Sequence, residues 1–306
     1  MLKMSKALIC DVKRFAIHDG DGIRTTVFFK GCPLKCVWCH NPESISGKPQ
    51  LAYYAHKCVG CGECISVCKQ NAHELKDGKH IFKPELCIGC GLCEYACLGN
   101  ALKFYGKQYT VKQLMPILLE DREFYESSGG GVTLSGGECL LQVDFCVALL
   151  KELKKEGIHT AVDTCGFVSG ETLEKVMPYV DVFLYDIKAI DKDIHVKCTG
   201  RSSARILENL KYIDSCNKEI EIRIPYVPEW NSSQKGKMID FIKKLNNVTK
   251  VKVLAYHNYA GSKYDALFML NTLPNILPTE EDVAKFQEQI DIVSNKKKVK
   301  RNEECD

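Results

Sequence analysis

The hydrophobic positions after residue 130 alternate between short apolar runs and longer stretches with a helical period. Apolar runs typical of buried strands occupy residues 25–30, 132–135, 158–162, 182–187, 220–224 and 251–255. A stripe with i, i+3, i+4 and i+7 spacing predicts a helix over residues 142–155, and it consists of Cys146, Leu149, Leu150 and Leu153. A second helical stripe consists of Ile206, Leu210 and Ile213.

Alternation of strands and helices is typical of an α/β fold with a parallel sheet. Such a sheet can be open or closed into a partial barrel, and in either case ligands gather at the carboxyl ends of the strands. A last helix is predicted after Pro278, with Thr279 as its N-cap. Polar residues at the ends of the predicted strands are therefore candidates for a functional site.

Residues 57–100 are different, because they are rich in cysteine and interrupted by glycine. The run Cys58-Val-Gly-Cys61-Gly-Glu-Cys64 returns as Cys87-Ile-Gly-Cys90-Gly-Leu-Cys93, 29 residues later. This block has too few large apolar side chains to hold itself together alone, so we expect metal to stabilise it.

Composition narrows the class of protein. The 306 residues include 42 Lys+Arg and 39 Asp+Glu, a formal net charge of +3, which gives no electrostatic case for nucleic acid or an acidic membrane surface. No apolar run is long enough to span a membrane, and residues 1–6 do not begin an export signal, so we expect a cytoplasmic protein. Its 18 cysteines are then expected to bind metal rather than to form disulfides.

Three cysteines follow the first predicted strand with the spacing CxxxCxxC: Cys32, Cys36 and Cys39. Thiolates are soft ligands that suit iron–sulfur clusters or zinc. Three close cysteines are one ligand too few for a closed four-cysteine site, so a cubane cluster held by them has one open iron. Open coordination indicates chemistry rather than structure. The alternative is that these are three unrelated buried cysteines, but unrelated cysteines would rarely occur at this spacing.

The eight-cysteine block matches the pattern of ferredoxins with two clusters, in which the fourth cysteine of each run ligates the other cluster. This assigns one set of ligands as Cys58, Cys61, Cys64 and Cys97, and the other as Cys87, Cys90, Cys93 and Cys68. A pair of zinc sites is the competing interpretation, but zinc ribbons use separated CxxC pairs. The block can serve as an electron route to the open cluster or as a docking module, and the sequence leaves both open.

One stretch of the sequence resembles a known family. It comprises residues 17–28, IHDGDGIRTTVF, and residues 31–43, which contain the three spaced cysteines and end in HNPE. This stretch is similar to the activating enzymes of glycyl radical enzymes, of the pyruvate formate-lyase activating type. These enzymes belong to the radical S-adenosylmethionine (SAM) superfamily, and the resemblance extends over almost the whole chain. It implies a partial (β/α)6 barrel formed by residues 1–50 and 106–306, with a ferredoxin-like insert at residues 51–105.

The resemblance also implies a reaction. The open iron of the cluster held by Cys32, Cys36 and Cys39 would bind SAM, and one electron would split it into methionine and a 5′-deoxyadenosyl radical. That radical would abstract a hydrogen atom from a specific glycine in the C-terminal glycine loop of a partner enzyme. The expected cofactors are three 4Fe–4S clusters, SAM and a monovalent cation. Reduced flavodoxin or ferredoxin would donate the electron, in an anaerobic cytoplasm.

The remaining site residues are also implied by the resemblance. Gly136, Gly137 and Glu138 would form the loop for the SAM amino group, and Lys188 would act at the SAM carboxylate. Three residues at strand ends would hold the monovalent cation: Asp163, Thr164 and Asp186. Two more would contact SAM, namely Arg223 and His257, and Asp19 would meet the glycine loop of the partner. Cys165 and Cys198 are assigned no role beyond buried thiols.

Two alternatives belong to other functional classes. A radical SAM enzyme could act on a small molecule, or the chain could be an electron-transfer protein whose larger part only docks a partner. The partner itself is not encoded in these motifs, since relatives with the ferredoxin insert activate dehydratases, decarboxylases and carbon–nitrogen or carbon–sulfur lyases.

Overall fold

A computed structural model describes residues 6–303, with side chains as far as residue 293. Residues 1–5, on which the expectation of no export signal partly depends, lie outside the described residues. The strands are β1 (Lys6–Ala16), β2 (Arg24–Phe29), β3 (Gln50–Tyr53), β4 (His73–Lys76), β5 (Lys79–Phe82), β6 (Leu102–Tyr105), β7 (Lys107–Thr110), β8 (Gly131–Gly136), β9 (His159–Thr164), β10 (Val182–Asp186), β11 (Glu219–Tyr226) and β12 (Val248–Ala255).

The helices flank the strands along the chain. They are α1 (Glu63–Val67), α2 (Leu92–Ala96), α3 (Val111–Leu119), α4 (Arg122–Ser128), α5 (Val143–Lys155), α6 (Gly170–Val176), α7 (Lys192–Thr199), α8 (Ala204–Ser215), α9 (Lys235–Ile242), α10 (Gly261–Ala266) and α11 (Glu280–Glu303). Thr279 caps α11, because its hydroxyl accepts a hydrogen bond from the Asp282 backbone N–H at 3.1 Å. None of the helices among the described residues is both long and apolar enough to cross a membrane.

The main sheet has eight strands in the order β12-β11-β10-β9-β8-β2-β1-β7. Six of them, β2 and β8 to β12, are parallel, while β1 is antiparallel to both β2 and β7. The six strands predicted from apolar runs are these six parallel strands, which confirms an α/β fold with a parallel sheet. The sequence did not predict β1 and β7, which carry polar and half-exposed residues at the edge of the sheet.

Helices cover one face of the sheet and form the main core. The predicted stripe of α5, made of Cys146, Leu149, Leu150 and Leu153, is fully buried in this core. Successive strand residues point to opposite faces. In β8, Val132 and Leu134 therefore join the core, while Thr133 and Ser135 make hydrogen bonds on the opposite face.

Residues 50–105 form a smaller cysteine-rich unit between β2 and β7. Its two-stranded sheets, β3 with β6 and β4 with β5, are antiparallel, and α1 and α2 have five residues each. Its small apolar core consists of Leu51, Ala72, Phe82, Cys93, Leu102 and Phe104. Half-buried cysteines pack around this core, which fits the expectation that the block depends on bound metal for its stability.

A buried arginine fastens β2 to the loop before it and to β8. Arg24 is fully buried, and its guanidinium donates hydrogen bonds to Thr133 Oγ1 at 2.7 Å, to the Val132 carbonyl at 2.9 Å and to the Asp21 carbonyl at 3.2 Å. Burial lowers its pKa to about 10, so the group stays charged at neutral pH. The loop at residues 19–22 is therefore held against the inner face of the sheet.

Replacement of this arginine should weaken the fold. Arg24→Ala leaves buried acceptors without a donor and should lower the free energy of unfolding by about 3 kcal/mol. Lys13→Ala, on the exposed side of β1, is the control and should change it by less than about 0.5 kcal/mol. Urea unfolding followed by circular dichroism under anaerobic conditions measures both. Equal stability of the two variants would show that Arg24 does not fasten these strands.

Candidate functional site

A cavity of about 490 Å³ opens at the carboxyl ends of the parallel strands. It brings together most of the residues that the sequence singled out, and its walls include Cys32, Cys36, Cys39, Gly136, Gly137, Asp163, Thr164, Asp186, Lys188, Arg223 and His257. These residues come from the ends of β2, β8, β9, β10, β11 and β12. The cavity therefore lies where parallel sheets place their ligands.

The loop that carries the three spaced cysteines is fixed by backbone hydrogen bonds. Lys35 N–H donates to the Thr199 carbonyl at 2.9 Å, and Val37 N–H donates to the Cys198 carbonyl at 3.0 Å. The Cys198 side chain is fully buried in an apolar cluster that contains Trp38. Cys198 is thus structural, as expected, and it supports the cysteine loop.

Two of the three loop thiols are hard to ionise in the protein alone. Burial raises the pKa of Cys36, and it raises the pKa of Cys39 to about 12. The pKa of Cys32 is lowered, mainly by a hydrogen bond from the Cys165 thiol, which also lines the cavity. Because thiolates are the metal-binding form, a bound cation would supply the charge that this buried site lacks.

The glycine-rich turn after β8 lies directly against the cysteine loop. Gly137 N–H donates to the Phe29 carbonyl at 3.0 Å, and Glu138 N–H donates to the Gly31 carbonyl at 2.8 Å. A Cβ atom on Gly136 would collide with the backbone of Phe29, and one on Gly137 with the Gly31 carbonyl. Glycine is needed at both positions for the two loops to approach this closely.

Glu138 supports the cavity wall from behind. Its side chain is fully buried, and its carboxylate accepts hydrogen bonds from the Thr164 hydroxyl at 2.8 Å, the Cys165 N–H at 2.9 Å and the Leu140 N–H at 3.2 Å. The Thr164 hydroxyl also accepts a hydrogen bond from the Gly166 N–H at 2.9 Å. The Glu138 carboxylate is therefore occupied by protein donors and is not among the groups that line the cavity.

Two ion pairs lie in the cavity wall. Lys188 Nζ is 2.6 Å from Asp186 Oδ2, and Arg223 Nη1 is 3.2 Å from Asp163 Oδ2. Burial raises the pKa of Asp163 to about 6, although Arg223 acts in the opposite direction. Burial lowers the pKa of Lys188, but the neighbouring Asp186 carboxylate outweighs this effect, so the net pKa is raised and the ammonium stays charged.

Asp19 lies in the loop before β2, next to the cavity. Its carboxylate accepts a hydrogen bond from the Thr26 hydroxyl at 2.8 Å, and its other oxygen is 3.9 Å from Arg223 Nη2. Only 16% of the side chain is exposed. Asp19 is therefore next to the cavity lining rather than on an outer surface.

A stack of rings closes the side of the cavity after β12. The His257 ring stacks on His40 at 4.0 Å between centroids and on Tyr259 at 4.6 Å, and the Tyr256 ring stacks on His40 at 5.7 Å. His257 Nδ1 is buried and has no hydrogen-bond partner in the protein. His40 was missed in the sequence analysis, although its position directly after Cys39 could have indicated it.

Ser135 and Cys165 were also not predicted as site residues. The Ser135 hydroxyl donates to Asp163 Oδ2 at 2.6 Å, and the Cys165 thiol lines the cavity and lowers the pKa of Cys32. Ser135 ends the apolar run of residues 132–135, and Cys165 lies three positions after the run of residues 158–162, which was the available signal. Sequence reasoning passed over them because serine and cysteine are common at buried strand ends.

The smaller unit contains two further cavities with four cysteines each. The first four-cysteine set, Cys58, Cys61, Cys64 and Cys97, lines a cavity of about 20 Å³. The second four-cysteine set, Cys68, Cys87, Cys90 and Cys93, lines a cavity of about 150 Å³. These are the two sets assigned from the crosswise spacing of the sequence, so the structure groups the thiols as that pattern requires.

Comparison with known proteins gives consistent results. The sequence profile of the radical SAM superfamily matches residues 26–242. The trans-4-hydroxy-L-proline dehydratase activating enzyme of Clostridioides difficile is 46% identical over 85% of this chain and 88% of its own. The choline trimethylamine-lyase activating enzyme of Oleidesulfovibrio alaskensis is 41% identical over 86% of this chain and 87% of its own.

A solved structure shares the fold. The crystal structure of Streptococcus suis SuiB bound to its precursor peptide SuiA has a TM-score of 0.52 and 16% identity, and the match covers 87% of this chain and 44% of SuiB. The two activating relatives support cleavage of SAM and abstraction of hydrogen from a glycine of a partner, over a small-molecule substrate or simple electron transfer. The chain therefore belongs to the radical SAM superfamily and, within it, to the activating enzymes of glycyl radical enzymes.

Proposed function

We propose that Cys32, Cys36 and Cys39 hold a 4Fe–4S cluster in the 490 Å³ cavity and that SAM binds beside it. The observation that carries this assignment is that three thiols of one loop line the same cavity as the Lys188–Asp186 ion pair and a glycine turn. When bound, such a cluster supplies the single electron that splits the sulfonium of SAM.

The chain's own residues would orient the methionine part of SAM. The Lys188 ammonium is buried, charged and directed along the cavity wall, which suits a carboxylate ligand. Gly136 and Gly137 line the same cavity, and their backbone would meet the amino group. Glu138 would contribute through its backbone only, because its carboxylate is bonded to Thr164, Cys165 and Leu140.

A monovalent cation would fit between two carboxylates of the cavity wall. Burial raises the pKa of Asp163, and the negative charge of the nearby Asp186 adds to this effect. A hard cation with oxygen ligands would offset this negative charge. Thr164 would take part through its one remaining acceptor position, because its hydroxyl donates to Glu138 and accepts from Gly166.

The nucleoside part of SAM would lie toward β11 and β12. Arg223 Nε and His257 Nδ1 are buried without a hydrogen-bond partner, so both offer polar contacts to a sugar or base. The glycine loop of the partner would enter from the same side, where Asp19 is next to Arg223. The Asp19 carboxylate could then bind a backbone N–H of that loop.

We further propose that the two four-cysteine sets bind ferredoxin-type 4Fe–4S clusters, which makes three clusters in the chain. The crosswise grouping of Cys68 and Cys97 supports this assignment over two zinc ribbons, whose ligands come from separate CxxC pairs. The unit would carry electrons from reduced flavodoxin or ferredoxin to the SAM site. Such clusters need an anaerobic compartment, which we take to be the cytoplasm.

The SAM-binding role of Lys188 can be tested by substitution. Lys188→Ala removes a buried cation that faces the carboxylate, worth about 1.5–3 kcal/mol, so the Kd of SAM should rise roughly tenfold to 150-fold. Lys192→Ala, an exposed lysine four residues later, is the control and should bind as the wild type does. Equilibrium binding to the iron-loaded protein under anaerobic conditions gives both constants. An unchanged Kd in Lys188→Ala would remove this residue from the site.

The electron route can be separated from a docking role. Cys61→Ala and Cys90→Ala each remove a ligand from one four-cysteine set. Both should reduce SAM cleavage driven by reduced flavodoxin, while cleavage driven by dithionite should persist. Cys216→Ala changes a half-buried cysteine outside both sets and is the control. If Cys61→Ala and Cys90→Ala fold and accept electrons from flavodoxin at the normal rate, the electron route is wrong.

A further inference from the structure

A histidine pair lies beside the first four-cysteine set. His80 Nε2 is 3.4 Å from Cys64 Sγ and 3.0 Å from His73 Nδ1. Ligand atoms of these three residues all lie within 4.8 Å of one another. The proposed function assigns Cys64 as a ligand of the first cluster, and it assigns no role to the two histidines.

The surroundings determine which nitrogen of His80 carries the proton. His80 Nδ1 is buried and has no hydrogen-bond partner, whereas Nε2 has two possible acceptors within reach. A proton on Nδ1 would leave a buried donor unpaired, which is costly, while an unpaired acceptor costs less. The neutral ring therefore carries its proton on Nε2, the nitrogen that faces Cys64.

The His80 ring is held in this orientation from several sides. Its ring stacks on His73 at 5.1 Å and meets the edge of Tyr53 at 4.5 Å. His73 is itself buried and stacks on Phe82 at 5.0 Å. The hairpin of β4 and β5 thus holds the His80 Nε2–H between Cys64 Sγ and His73 Nδ1, with little freedom to turn away.

We propose that His80 donates an N–H···S hydrogen bond to Cys64 and raises the reduction potential of the cluster bound by the first four-cysteine set. A hydrogen bond to a ligating sulfur stabilises the more negative, reduced state of an iron–sulfur cluster. His73 is a positioning residue that holds the ring. This inference rests on the proposed function, because it requires a cluster at Cys58, Cys61, Cys64 and Cys97.

The backbone surroundings of the two sets are similar. The Sγ atom of the fourth cysteine in each run accepts a hydrogen bond from the backbone N–H four residues later. The N–S distance is 3.4 Å from Ala72 to Cys68 and 3.2 Å from Ala101 to Cys97. The second set has a further backbone donor, since Gly89 N–H lies 3.4 Å from Cys87 Sγ. The second cluster therefore serves as an internal reference in the same molecule, because a change at His80 does not alter its backbone donors.

The experiment is an anaerobic redox titration of the full-length, iron-loaded protein, followed by electron paramagnetic resonance. In His80→Leu, one of the three reduction steps should move to lower potential while the other two stay in place. The reduced-to-oxidised ratio of that cluster at a fixed potential should fall about tenfold, which is about 59 mV for one electron. His80→Gln keeps an N–H donor and should recover most of the shift.

A control separates the hydrogen bond from loosened packing. Phe82→Leu relaxes the same hairpin and leaves the His80 N–H in place, so it should leave the three potentials unchanged. Electron–nuclear double resonance on protein with nitrogen-15 histidine should detect the imidazole N–H coupling in wild type and Phe82→Leu, and should lose it in His80→Leu. Equal shifts in His80→Leu, His80→Gln and Phe82→Leu, or no shift in any of them, would overturn the proposal.

Failure of the proposed function gives a different result. Cys61→Ala should eliminate one reduction step, and His80→Leu should shift nothing further in that background. If Cys61→Ala leaves all reduction steps of the wild type in place, the first set holds no cluster, and both the proposed clusters and the hydrogen bond are wrong. If Cys61→Ala removes a step that His80→Leu does not move, only the hydrogen bond is wrong.

Discussion

The site depends on a close contact between two strand ends, that of β2 and that of β8. Hydrogen bonds from Gly137 and Glu138 to the backbone after β2 fasten the glycine turn to the cysteine loop, and neither Gly136 nor Gly137 has room for a Cβ atom. The parallel pairing of β2 with β8 brings these ends side by side. Three thiols and the glycine backbone that we propose for SAM are thereby held together before any ligand arrives. Such pre-organisation reduces the entropic cost of ordering the site on binding.

The charges of the cavity are balanced within the chain. Two carboxylates, Asp163 and Asp186, pair with two cations, Arg223 and Lys188, so the wall can accept a ligand with both an amino and a carboxylate group. The thiols of Cys36 and Cys39 have raised pKa values because they are buried. The site therefore favours a ligand that brings positive charge to the cysteines, and an iron–sulfur cluster followed by a sulfonium does so.

Much of this architecture could be predicted from the sequence because parallel strands are buried on both faces and appear as continuous apolar runs. The antiparallel β1 and the edge strand β7 lack that signal, and both were missed. The crosswise grouping of Cys68 and Cys97 was predictable because the spacing itself encodes it. The position of the Glu138 carboxylate behind the wall was not predictable, because it depends on Thr164 and Cys165 of the next strand. The roles of His40 and His80 were not predictable either, because the residues that they contact come close only in the folded chain.

The central claim, that this chain generates a glycyl radical in a partner, is tested most directly by electron paramagnetic resonance. The iron-loaded, reduced protein is mixed with SAM and an anaerobic host extract that contains a glycyl radical enzyme. The account predicts the doublet of a glycyl radical, none in Cys36→Ala, and a newly cleaved polypeptide after air is admitted, which identifies the partner. Formation of 5′-deoxyadenosine without a doublet in such an extract would contradict the account and favour a small-molecule substrate.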